Sequence, residues 1–193
     1  MTRIAVFAYA SLVDPASASQ TLGRPVPPPT PASLLGWRRR WSIVRDNLRS
    51  EKTFAVEPGG ELPPWVIGLN IEPGEDGDSP PNGALLEVSE AELERLDLRE
   101  LRFDRVDVSG AVDGGSGFER IVAYRAKPAH RAPKPPPGAI VLGPYARTVE
   151  AAFAALGEGE RERFLETTGP PPVEVVEGVL VSDRIPPGNP RAW

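Results

Sequence analysis

Proline and glycine constrain this chain more than any other feature, because 24 prolines and 19 glycines divide its 193 residues into short apolar runs. Proline removes a backbone donor and stops helices, and glycine supplies turns. What remains between them is mostly of strand length. The two residues together stay below the ~25–30% that marks low-complexity chains, so the pattern describes a folded protein with many defined loops.

The first run, Ile4 to Tyr9, is continuous and apolar, and reads as a buried strand that feeds a loop at Ala10, Ser11 and Asp14 before Pro15. Pro25 to Pro31 is a proline-rich connector, and Leu34 to Val44 mixes aromatic and β-branched residues with arginines, as a partly exposed strand does. Phe54 to Val56 and Trp65 to Ile71 are further strands, separated by the turn Pro58-Gly59-Gly60, and Gly74 to Pro81 is an acidic loop. Gly83 to Val88 is an inner strand. Ser89-Glu90-Ala91-Glu92 then matches the capping box that opens a helix. Leu93 and Leu96 give this helix its apolar side, and it runs out near Arg99 to Leu101, so Glu100 stands between helix and the strand Phe103 to Val108. Gly114 to Gly117 marks a hairpin turn into the strand Arg120 to Arg125, and Lys127 to Gly138 is a second proline-rich loop. Tyr145, Val149, Phe153 and Leu156 recur at helical spacing before Gly157. A second late helix spans about Glu160 to Thr168, and Val173 to Val181 is a last strand. Consecutive strands outnumber helices, which predicts an α+β fold with an antiparallel or mixed sheet.

With 40% apolar side chains the chain can bury one core, and residues 1–193 are expected to form a single domain. The net charge of −5 argues against nucleic acid as a partner, despite the run Arg38, Arg39, Arg40. The chain has no cysteine, which excludes disulfides, thiolate nucleophiles and cysteine-ligated metal, and suits a reducing compartment. No segment approaches ~18 consecutive apolar residues. The expectation is therefore a cytoplasmic protein with no membrane partner. Oligomeric state is left open. Asp76 and Asp78 lie in an ordinary acidic turn, and His130, the sole histidine, has no sequence partner for a metal site or triad. No cofactor and no metal are expected.

Phe7-Ala8-Tyr9-Ala10-Ser11-Leu12 resembles the Phe-x-Tyr-Gly-Ser-Leu signature of the gamma-glutamylcyclotransferase family. Three later segments follow in that family's order. Gly36-Trp37-Arg38 is similar to its Gly-aromatic-Arg strand, Asn82 to Val88 to its inner strand, and Leu96-Asp97-Leu98-Arg99-Glu100 to its Leu-Asp-x-x-Glu. The resemblance spans roughly residues 4 to 125. It implies a small mixed β-barrel flanked by helices, and cleavage of a small gamma-glutamyl amide, amino acid or peptide with release of 5-oxoproline. It also implies that Glu100 is the catalytic acid and base. A helix-end glutamate is ordinarily just a solvated carboxylate, and Asp97 is the rival, which the resemblance makes structural. Tyr9, Ala10, Ser11 and Leu12 would form the loop that meets the glutamyl carboxylate or the oxyanion. Arg38 would pair with a substrate carboxylate, and Tyr145 would turn its hydroxyl to the site. Ala10 replaces the family's glycine, which matters if that position needs a left-handed backbone. Two other readings stand beside the enzyme: a noncatalytic ligand-binding member of the same fold, and an interaction module presenting Pro27 to Pro31 and Pro133 to Pro137.

Overall fold

The strand Ile4–Ala8 (β1) is buried along its whole length, and the pairing explains why a continuous apolar run is needed there. It is an interior strand, antiparallel to Asn82–Val88 (β6) on one side and parallel to Arg120–Ala126 (β9) on the other. The computed structural model of the chain describes residues 3–187, 189 and 190. The remaining strands are β2 (Thr30–Leu34), β3 (Trp37–Asp46), β4 (Lys52–Ala55), β5 (Trp65–Pro73), β7 (Phe103–Asp107), β8 (Val112–Asp113), β10 (Ala139–Leu142), β11 (Val175–Val176) and β12 (Val179–Asp183). The helices are α1 (Pro15–Leu22), α2 (Glu90–Arg99), α3 (Gly143–Leu156) and α4 (Glu160–Thr168).

The strands form a six-stranded sheet in the order β7-β9-β1-β6-β2-β8, a four-stranded sheet β11-β10-β5-β3 and the pair β12-β4. The architecture is α+β, with a mixed sheet curled into a half-barrel and flanked by the helices. Close approach of β6 to β1 requires Gly83, since a Cβ there would stand 2.4 Å from the Ala8 carbonyl oxygen. Asn70, fully buried on β5, stitches the two larger sheets together. Its Oδ1 accepts from Ala126 N–H at 2.7 Å, and its Nδ2 donates to Ser42 Oγ at 3.1 Å. An amide side chain can do both, which an apolar residue cannot.

The capping box at Ser89 and Glu92 is formed, and Leu93 and Leu96 of α2 are fully buried against the sheet. Four expectations need correction. The loop after β1 contains α1, which Asp14 caps by accepting from Ala16 N–H and Ser17 N–H, with Pro15 at the start of the helix. That Asp-Pro signal is legible in the sequence. Gly114 to Gly117 is not a hairpin turn between neighbours, because β8 pairs with β2 while β9 pairs with β7. Four apolar residues after Gly138 form β10, too short a run to stand out beside the helix that follows. The last strand is two strands in different sheets, broken at Gly178 with φ +64.

Candidate active site

The direction of three strands decides which loops meet. β1 and β9 are parallel, so the end of β1 and the end of β9 lie at the same edge of the sheet. β7 is antiparallel to β9 and therefore starts at that edge, with Phe103 paired to Ala126. Glu100, which closes α2 just before β7, is thereby carried to the loop that follows β1. Tyr9, Ala10, Ser11, Leu12, Glu100 and Tyr145 all line one cavity of about 580 Å³.

Arg99 connects the two halves of this site. Its side chain is 1% exposed, and its Nε donates to Glu100 Oε1 at 3.0 Å. Its Nη2 donates to Ser11 Oγ at 3.1 Å and to Ser17 Oγ at 3.0 Å, and its Nη1 donates to the Ser17 carbonyl and to Thr21 Oγ1. One guanidinium thus locks Glu100 to the loop at Ser11, 88 positions before Arg99 in the chain. A planar fork of five donors suits this task, and lysine would not reproduce it. Sequence reasoning passed over Arg99 because it occupies a variable position of the motif beside Glu100. Its burial was legible only as a place on the Leu93 and Leu96 side of α2.

The Glu100 side chain is 17% exposed, toward the cavity. Burial raises its pKa above the ordinary glutamate value, and Arg99 and Arg102 offset part of that rise. Replacing Arg99 by methionine should therefore shift the Glu100 titration to still higher pH. Carboxyl-carbon NMR of wild type and Arg99→Met, assigned with Glu100→Gln, measures this. An unchanged midpoint would contradict the coupling.

The Tyr145 hydroxyl accepts weakly from Leu69 N–H at 3.4 Å, and burial, with a contribution from nearby Glu100, pushes its pKa up to about 12. It is therefore a neutral donor at physiological pH. The Tyr9 hydroxyl is committed elsewhere, donating to the Tyr124 carbonyl at 2.6 Å. Ala10 has φ −144, so it does not take the left-handed backbone that would call for glycine at this position. Asp97 does not line the cavity, and it accepts from the Tyr124 hydroxyl at 2.8 Å and pairs with Arg105 at 3.3 Å.

Arg38 is a correction. It lies outside the cavity and pairs with Glu75 at 2.8 Å and Asp78 at 3.4 Å in the acidic loop. Side chains alternate across a strand, so Arg38 and Arg39 point to opposite faces. Arg39 is the interior one, 1% exposed. Its guanidinium is accepted by the Tyr9 carbonyl at 3.2 Å, the Asn82 carbonyl at 2.7 Å and Asn82 Oδ1 at 2.9 Å, and it lies against the rings of Phe153 and Phe164. It supports the site loop from behind. Among the described residues, no group of three or more His, Asp or Glu is placed to hold a metal, and no helix is long and apolar enough to cross a membrane.

A mixed sheet curled into a half-barrel and flanked by helices is the gamma-glutamylcyclotransferase-like fold. Two solved structures share it. YkqA from Bacillus subtilis is 18% identical with a TM-score of 0.53, over 86% of this chain and 54% of that one. A gamma-glutamyl cyclotransferase is 11% identical with a TM-score of 0.53, over 83% of this chain and 84% of that one. The chain thus spans about half the length of YkqA. No protein-family model and no curated protein sequence matches it. At such identities the likeness defines the fold, and the argument for an activity has to come from the site.

Proposed function

We propose that this chain is a gamma-glutamyl cyclotransferase that releases 5-oxoproline from a small gamma-glutamyl amide, amino acid or peptide. One observation carries the reading: Glu100, with a raised pKa, is tied through Arg99 to Ser11 in a cavity sized for a small molecule. The substrate is its own nucleophile. Its α-amine closes a five-membered ring on the γ-carbonyl, an intramolecular attack of high effective molarity. The α-ammonium first loses a proton to the Glu100 carboxylate, and its lone pair then forms the new C–N bond while the carbonyl electrons move to oxygen. Glu100 returns that proton to the leaving nitrogen as the old C–N bond breaks. The oxyanion collapses to restore the carbonyl, and the second proton of the ring nitrogen passes to the departing amine, so that the products are a neutral lactam and an ammonium. One carboxylate cycling between two states serves both transfers. The Ser11 hydroxyl and the neutral Tyr145 hydroxyl, both in the lining of the cavity, can donate to the oxyanion.

The alternative, a noncatalytic ligand-binding member of the fold, draws its support from Ala10 in place of the glycine, although the negative φ there shows that no left-handed backbone is required. The test is a panel of gamma-glutamyl amides assayed for 5-oxoproline release from pH 4 to 9. Release is expected, with activity falling as pH drops through a pKa above the ordinary carboxylate value, because the base must be ionised. No release from any compound, or undiminished activity down to the ordinary carboxylate pKa, would count against the reading.

A further inference from the structure

The wall of the cavity formed by β3, β4 and the turn before β7 is cationic in a way that the cyclisation chemistry does not require. Arg45, Lys52 and Arg102 all line it. Arg102 is neutralised by Glu51 through two hydrogen bonds of 2.8 and 2.7 Å, and Lys52 lies 3.4 Å from Asp183. Arg45 differs. Its Nη1 donates to the Lys52 carbonyl at 2.8 Å and to Ser50 Oγ at 3.3 Å, and its guanidinium lies 5.2 Å from the Phe54 ring centroid. Among the described residues no carboxylate pairs with it. A guanidinium held at one nitrogen and braced by a ring keeps the rest of its fork for an incoming anion.

Resting on the cyclotransferase reading, we infer that Arg45 is a specificity residue that binds a carboxylate on the leaving half of the substrate, so that gamma-glutamyl amino acids or peptides are favoured over gamma-glutamyl amides of uncharged amines. Arg102 stands within electrostatic reach of both Glu100 and Arg45, which sets the two groups at neighbouring parts of one cavity. The glutamyl half must present its α-amine to Glu100 beside Ser11, which leaves the Arg45 wall to the group that departs. Burial and the neighbouring Arg102 push the Arg45 pKa down to about 10, still well above physiological pH, so it binds as a cation.

The experiment compares gamma-glutamyl-alanine with gamma-glutamyl-alaninamide, which differ only in that charge. Wild type should favour the carboxylate by on the order of 10–100-fold in kcat/KM, the worth of a hydrogen bond to a charged group. Arg45→Met should lose that preference mainly through KM, while staying within about threefold on the alaninamide, and Arg45→Lys should restore part of it. An equal loss on both compounds, or a wild type without preference, overturns the inference. Calorimetric binding of the two compounds to Glu100→Gln, with and without Arg45→Met, separates this result from the fate of the cyclotransferase reading. If wild type releases no 5-oxoproline but Arg45→Met still abolishes a binding preference for the carboxylate, the subsite stands and the reaction does not. If neither compound binds, the subsite fails as well.

Discussion

Glu100→Gln should abolish 5-oxoproline formation while leaving the fold and ligand binding intact. The amide keeps the shape of the side chain, and its oxygen can still accept from Arg99, but it cannot take or return a proton. General acid–base groups contribute about 10²–10⁴-fold, and this loss should lie toward the upper end because one residue carries both transfers. Glu100→Asp keeps the acid but withdraws it by about one bond length, and misplacement on that scale costs on the order of 10²-fold. Stability supplies an independent check. A carboxyl whose folded pKa is raised contributes stability that is fully present below its unfolded pKa and lost as pH rises through the folded one. The stability of Glu100→Gln relative to wild type should therefore improve as pH climbs out of the ordinary carboxylate range, which urea unfolding at pH 4 and pH 7 would read. Turnover of Glu100→Gln at the wild-type rate would move the base to another lining carboxylate: Asp14, Glu51 or Glu177.

The largest loss of stability is expected from Arg39→Ala. Thr168 Oγ1 at 2.7 Å and Thr167 Oγ1 at 3.1 Å complete the ring of acceptors around this guanidinium, and no carboxylate among the described residues pairs with it. Burial accordingly pushes its pKa down to about 9. Truncation would strand the carbonyls of Tyr9 and Asn82 in an apolar interior and open a void between Phe153 and Phe164. Unsatisfied buried groups cost about 1–3 kcal/mol each, so a total of roughly 3–5 kcal/mol is expected, in line with breaking a buried charged network. Arg39→Lys keeps the charge but cannot span acceptors on β6, α4 and the site loop, and should fall between. A chemical denaturation midpoint close to wild type for Arg39→Ala would show that these bonds contribute little.

Local chemistry was legible in the residues themselves. The apolar run of Ile4 to Tyr9 gave a buried strand, Ser89 and Glu92 gave a helix start, and Leu96 to Glu100 put a carboxylate at the helix end, because each of these signals lies within a few residues. Asp14 before Pro15 was as local, and would have given α1. The arginines of 38 to 40 were ambiguous, since alternation along a strand says that one differs from its neighbours but not which one faces the interior. That depends on the register of β3 against β5 and on what α3 and α4 place behind it. Only the parallel pairing of β1 with β9 brings Glu100 to Ser11, and only the packing of α1 against α2 hands Arg99 to both. Arg45 gave no signal at all, because the cavity wall it lines is assembled only by the fold. The sequence by itself determined most of the elements and the acid at the end of α2; the tertiary structure decided which charges are buried, paired or left to face the cavity, because those depend on neighbours far away in the chain.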